Sequence, residues 1–105
     1  MQFFKFKNFN SDNQYNRYFI TIKDNTYNFT VRWSDYCDCG FLSIYDYNNN
    51  PIVMGKALTN GLIIRNKNLP YIFYFMQIND ETYEPTIDNI ASEFAIFYDD
   101  EAETV

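Results

Sequence analysis

Residues 41–62, FLSIYDYNNNPIVMGKALTNGL, contain most of the turn and strand signals that decide the fold. Leu42 and Ile44 alternate with Ser43 and Tyr45, which is the period-two pattern of a half-buried strand. Residues 46–50 are rich in Asn and Asp, which tolerate left-handed backbone and bond nearby backbone groups, and Pro51 fixes its own φ. Because an apolar run follows at residues 52–54, the segment predicts a β-hairpin.

The glycines of the chain all lie in or beside this segment. They are Gly40, Gly55 and Gly61, in a chain of 105 residues. A glycine inside a strand pattern marks a bulge, a tight bend or a close approach of backbone. We therefore expect Gly55 and Gly61 to shape the passage from this hairpin to the next strand, and we expect Gly55→Val to damage folding.

Strand patterns continue in both directions from the segment. Residues 15–23 and 27–33 alternate around a short Asp24-Asn25 turn and predict an earlier hairpin, in which core packing is favoured for Trp33 over stacking on a ligand. Residues 71–78 are apolar on both faces, so they predict either a central strand covered twice or a strand with one face on a partner. Residues 94–98 predict the last strand, and residues 61–64 predict a short strand or a helical turn. Residues 86–90 predict a helix start with Thr86 as the N-cap.

These elements predict a mainly β fold, a small antiparallel barrel or sandwich of six to seven short strands with one short helical turn. The length suits one domain. We expect a single β domain over residues 15–98. Residues 1–14 predict either an edge strand or an arm that docks on a partner, and residues 99–105 predict a solvated acidic tail.

The aromatic content is high, with 11 Phe, 10 Tyr and 1 Trp. Each large ring can bury about 150–250 Å², and a domain of this size cannot hide all of them. Some rings must therefore lie at a Tyr-rich surface or in an interface with another chain, where aromatic residues are enriched. The residues expected to contact a partner are Phe4, Phe6, Tyr71 and Phe73.

Charge and residue types argue against several classes of function. A net charge of −6 disfavours binding to nucleic acid or to an anionic membrane, and the chain has no run of about 18 apolar residues. The first residues lack the apolar core of a signal peptide, so we expect synthesis in the cytoplasm.

The absence of His removes the usual general base, and Cys37 and Cys39 are too few for a zinc site. The residues predict a non-catalytic binding module with no metal and no cofactor.

An ordered set of short motifs runs from about residue 15 to residue 98, through most of the chain. The motifs are Tyr27-x-Phe29-x-Val31-Arg32-Trp33, Leu42-x-Ile44-Tyr45-Asp46, Pro51-Ile52-Val53-x-Gly55-x-x-Leu58-x-x-Gly61, Leu69-Pro70, Pro85-x-x-Asp88-Asn89-Ile90 and Phe94-x-Ile96-x-Tyr98. In this order, the set resembles the small baseplate plug family of contractile-tailed phages, first described in a cyanophage. The departures from the family pattern lie in turns and loops, so the resemblance concerns strand order more than loop conformation.

The resemblance implies a virion structural protein near the axis of the tail baseplate, with the hub, the spike and the tail tube as partners. It names no contact residues, and self-association stays open. Two other functions also stay open. One is a carbohydrate-binding β module that exposes Tyr and Trp, and the other is an oligonucleotide-binding barrel that stacks bases on aromatic rings, which the net charge opposes.

Overall fold

The computed structural model describes residues 2–99, which form eight strands and one short helix. The elements are β1 (Gln2–Phe4), β2 (Tyr15–Ile22), β3 (Asn25–Ser34), β4 (Cys39–Tyr45), β5 (Pro51–Ala57), β6 (Leu62–Ile64), β7 (Phe73–Gln77), α1 (Ile90–Glu93) and β8 (Phe94–Tyr98). Apart from Asp99, the expected acidic tail lies outside the described residues.

The strands form two four-stranded antiparallel sheets. The meander sheet has the strand order β2-β3-β4-β5, and the terminal sheet has the order β1-β8-β7-β6. The sheets do not close into a barrel, so the sandwich is the observed form of the predicted mainly β class. The strand count exceeds the predicted six to seven because the three-residue strands β1 and β6 both pair with a neighbour.

The core lies between the two sheets and is largely aromatic. Phe29 of the meander sheet meets Phe73 of the terminal sheet with ring centroids 5.4 Å apart. Alternation along β3 turns Val31 inward as well, and Trp33 is only 4% exposed, which confirms that it packs in the core. The largest fully buried side chains are Phe6, Phe9, Phe29, Phe73, Phe75, Phe94, Leu42, Ile44, Ile64, Ile90, Ile96 and Val31.

The β4–β5 hairpin has the predicted turn. One carboxylate oxygen of Asp46 accepts hydrogen bonds from the backbone N–H groups of Asn48 at 2.9 Å and Asn50 at 2.8 Å. Asn49 has φ of 66°, in the left-handed region that Asn tolerates. Gly55 has φ of 60° and Gly61 has φ of 89°, so both glycines lie where an L-residue would be strained.

Residues after β1 contribute side chains to the core. β1 pairs with β8 at an edge of the terminal sheet, and Phe6 and Phe9 then enter the core. The Tyr18 hydroxyl donates a hydrogen bond to the Lys7 carbonyl at 2.6 Å, which ties this segment to β2. Burial of its ring raises the pKa of Tyr18 to about 12.

The short helix begins later than the sequence predicts. Asn89, rather than Thr86, occupies the N-cap position of α1. The Asn89 side-chain oxygen instead accepts a hydrogen bond from the Thr86 backbone N–H at 2.7 Å. Backbone hydrogen bonds from Asn89 and Ile90 to the Thr86 carbonyl, at 3.2 and 2.9 Å, form a turn directly before α1.

Candidate interaction surfaces

The four residues expected to contact a partner lie in or against the core. Phe6, Tyr71 and Phe73 are 2%, 7% and 0% exposed, and Phe4 is half-buried with its ring 5.2 Å from that of Phe29. Phe4 and Phe6 also contact each other, with centroids 6.3 Å apart. In the folded chain these rings pack against other core residues, and their role as partner contacts stays a prediction that nothing in the structure tests.

The outer face of the terminal sheet carries an apolar row that the sequence did not reveal. The pairing aligns Phe3 of β1 with Phe97 of β8, Phe97 with Tyr74 of β7, and Tyr74 with Ile63 of β6. We call these four residues the outer row. They cross the whole sheet, a span of about 14 Å at the usual spacing between strands.

Much of the outer row is accessible. Phe3 is 56% exposed and Ile63 is 54% exposed, while Phe97 and Tyr74 are half-buried. The rings of Phe3 and Phe97 lie against each other with centroids 5.6 Å apart. Strand β7 therefore has one face in the core and the other on the accessible side of the sheet. The chain itself therefore covers only one of the two apolar faces, and contact of the other face with a partner stays a prediction.

Register explains why the row was missed. Alternation within residues 94–98 separates Phe97 from its inward neighbours, but Phe3 and Ile63 lie in strands of three residues, where alternation is too short to recognise. Their alignment depends on pairing between strands that are far apart in sequence. A signal was nevertheless present, because residues 71–78 are apolar at nearly every position.

The outer face of the meander sheet is different in character. Tyr15, Arg32 and Phe41 are aligned across β2, β3 and β4. The Arg32 guanidinium carbon lies 5.3 Å from the centroid of the Phe41 ring. A groove of about 410 Å³ opens on this face, lined by Tyr15, Thr30, Arg32, Phe41, Ser43, Tyr45, Met54 and Gly55. We call this surface, together with Arg17, the arginine face.

Arg17 lies beside the same groove. Its Nε donates a hydrogen bond to the Tyr15 hydroxyl at 3.4 Å, and this contact raises the pKa of Arg17 above its ordinary value. A neighbouring groove of about 190 Å³ is lined by Arg17 and shares Tyr15, Thr30 and Tyr45 with the larger one. Both arginines are exposed, so their remaining N–H donors face outward.

Trp33 does not contribute to either surface. It is 4% exposed, and its indole N–H has no hydrogen-bond partner among residues 2–99. A ring in this position cannot stack on a sugar at the surface. The carbohydrate-binding alternative therefore lacks its main aromatic platform.

A hydrogen-bonded cluster organises the loop before α1. Gln77 is 4% exposed, its side-chain NH₂ donates to the Tyr83 hydroxyl at 2.9 Å, and its side-chain oxygen accepts from the Glu81 backbone N–H at 2.8 Å. Tyr83 in turn donates to Glu93, and this hydrogen bond is the main reason that the pKa of Tyr83 is raised. The side chain of Asn60 adds hydrogen bonds to the carbonyls of Glu81 and Tyr83 at 2.8 and 3.1 Å. The cluster explains how a polar loop is held in place at this end of the terminal sheet.

Groups associated with metal chemistry are sparse in the described part of the chain. Residues 2–99 contain no cluster of three His, Cys, Asp or Glu side chains placed to hold a metal ion. Cys37 and Cys39 are free thiols, and burial is the main cause of the raised pKa of Cys39. Within the same residues, no helix has the length and apolar character needed to cross a membrane.

The comparison with protein families gives a match over nearly the whole chain. The model of the family described as "Cyanophage baseplate Pam3 plug gp18" matches residues 5–101. The matched range includes β2 to β8, the arginine face and three of the four residues of the outer row. No curated protein matches the chain significantly. The chain thus belongs to the cyanophage baseplate plug family, as the order of its motifs suggested.

Proposed function

We propose that this protein is a non-catalytic structural component of a phage tail baseplate, a plug-like protein near the tail axis that contacts the hub and the spike. Membership of the cyanophage baseplate plug family supports a place in the baseplate of the virion. Synthesis in the host cytoplasm, before assembly, is part of the same proposal.

The outer row is the structural feature that most strongly supports a role in assembly. Phe3 and Ile63 are more than half exposed although they lie in paired strands of a sheet. A continuous apolar strip on an accessible sheet face is typical of a surface that a partner covers. Covering the exposed part of such side chains stabilises a complex by about 1 kcal/mol each. We therefore propose that the hub or the spike covers the outer row.

The net charge of the chain is compatible with a position close to DNA and unfavourable for binding DNA. The net charge is −6, and phosphate backbones are repelled by a protein of that sign at distances within the screening length. This property supports a plug that contacts proteins and leaves the genome free to pass. It also argues against the oligonucleotide-binding alternative.

The proposal can be tested by co-expressing the full chain with the hub and spike proteins encoded near its gene. We expect co-purification with at least one of them. Phe3→Ser combined with Ile63→Ser should weaken the complex, because these changes remove the most exposed apolar surface of the outer row. Tyr36→Ser is the matched control, since Tyr36 is a 99% exposed aromatic residue outside the outer row.

The outcome that would contradict the proposal is also clear. A chain that stays monomeric at high concentration and binds neither the hub nor the spike would not be a plug of this kind. Loss of binding in Tyr36→Ser equal to that in the double variant would instead show that the loss is not specific to the outer row, and the outer row would no longer be supported as the contact surface.

A further inference from the structure

The charged side chains of the meander sheet all have the same sign. The four strands of this sheet contain Arg17, Arg32 and Lys56, and they contain no Asp or Glu. The chain as a whole has 14 acidic residues against 8 basic ones. The acidic residues in the described part of the chain lie in turns, in loops, in α1 and directly after β8, and none of them lies within a strand. The protein is thus acidic at its loops and basic on the arginine face.

Two of these cations are adjacent on the outer surface. Arg32 is aligned with Tyr15, and Arg17 is aligned with Thr30, the residue two positions before Arg32. In an antiparallel pair, such diagonal neighbours have side chains about 7–8 Å apart. This spacing allows both guanidinium groups to contact neighbouring acidic side chains of one bound segment.

The surroundings of the arginines fit a protein ligand. No acidic residue lines either of the two grooves beside them, so an incoming carboxylate meets no like charge there. Guanidinium groups bind carboxylates through paired hydrogen bonds. The Arg17 and Arg32 guanidinium carbons lie 5.9 and 5.3 Å from the centroids of the Tyr15 and Phe41 rings, and Tyr and Arg are enriched, together with Trp, at the energetic centres of protein interfaces.

We propose that the arginine face binds an acidic segment of a partner protein. Carboxylates of this segment pair with Arg17 and Arg32, and its apolar side chains pack on Phe41 and on Met54, which is 61% exposed. Single-stranded nucleic acid is the other anionic polymer that could rest on such a surface. Its many phosphates would meet only the two cations of the arginine face, Arg17 and Arg32, and an overall charge of −6, which favours the protein segment.

This inference goes beyond the proposed function because it concerns the opposite sheet. The outer row and the arginine face lie on different sheets and share no residue. A variant of the arginine face therefore leaves the outer row intact. Failure of one proposal does not imply failure of the other.

Peptide selection on the full-length protein tests the inference. A display library of short random peptides is selected for binding, and the content of Asp and Glu in the binders is compared with that of the input library. We expect enrichment of acidic residues. We also expect a loss of affinity of at least about tenfold for the best binder in the Arg17→Gln, Arg32→Gln double variant, with weaker binding at higher salt.

Controls separate this result from unfolding and from general attraction to positive charge. Lys67→Gln removes an exposed cation from a loop outside the arginine face and should leave affinity unchanged. The thermal unfolding curve of the double variant should match that of Lys67→Gln. The inference is overturned if no peptide is selected, if the binders are not enriched in acidic residues, or if the double variant binds them equally. Tighter binding of a thymidine oligonucleotide than of any peptide would also overturn it.

Discussion

Trp33 lies directly opposite Gly40 across β3 and β4, and its ring occupies the space that a side chain at position 40 would need. A Cβ atom at Gly40 would lie 3.3 Å from Trp33 Cε3 and 3.3 Å from Leu58 Cδ1. Both neighbours are buried, so neither can move far without disturbing the core. The indole ring of Trp33 therefore fills the space that is free because position 40 has no side chain.

Gly40→Val should overpack this contact. We expect the free energy of unfolding to fall by about 1–3 kcal/mol, measured by urea denaturation. Thr59→Val places the same side chain at an exposed position and should change stability little. Equal stability of the two variants would mean that Trp33 can shift to accept the added methyl groups.

Gly55→Val should destabilise the protein for a different reason. No heavy atom lies within 4 Å of a Cβ built at Gly55, so the new side chain has space, but the backbone φ of 60° is unfavourable for a branched residue. We expect a loss of about 1–2 kcal/mol, observed as a lower melting temperature. Gly55→Asn should cost less, since Asn adopts this conformation more readily. A melting temperature for Gly55→Val equal to that of the wild type would show that the bend is not a determinant of the fold.

Sequence patterns identified the parts of the fold in which one strand carries its own signal. Alternation over residues 27–33 predicted the buried face of β3, and the Asn-rich turn predicted the β4–β5 hairpin. In residues 71–78, where both faces are apolar, sequence could not show that Phe73 points inward and Tyr74 outward. Pairing between distant strands decides this, and it also decides which residues form the outer row.

Tyr18→Phe should loosen the segment that joins β1 to β2. The change removes the hydrogen bond from the Tyr18 hydroxyl to the Lys7 carbonyl, for which we expect a loss of about 0.5–1.5 kcal/mol at neutral pH. Measurement by chemical denaturation at pH 7 gives this value. Faster hydrogen exchange of the amides in residues 5–9 should accompany it.

Alkaline pH provides a second test of Tyr18. Its folded-state pKa of about 12 is above the ordinary value of 10.0, so the stability that it contributes is fully present below pH 10 and is lost as the pH rises toward 12. The fall in melting temperature between pH 10 and pH 12 should therefore be smaller in Tyr18→Phe than in the wild type. Tyr36→Phe changes a fully exposed tyrosine and should reproduce the wild-type dependence. Identical slopes for all three proteins would contradict the assignment.

Gln77→Leu should release the loop over residues 79–89. Leucine retains most of the buried volume but leaves the Glu81 backbone N–H and the Tyr83 hydroxyl without the partner they have in the native cluster. We expect a loss of about 1–3 kcal/mol in the free energy of unfolding and faster amide exchange at residues 80–83, measured by mass spectrometry. The other sheet should keep its protection, because the cluster lies at one end of the terminal sheet.

A double-mutant cycle with Tyr83→Phe separates the contribution of the cluster from that of core packing. Tyr83→Phe removes the hydroxyl that joins Gln77 to Glu93 and keeps the ring that packs on Phe94. If the hydrogen bonds act together, the double variant should be more stable than the sum of the two single losses implies. Strictly additive losses would show that Gln77 is retained for its packing, and that the loop is held mainly by Asn60.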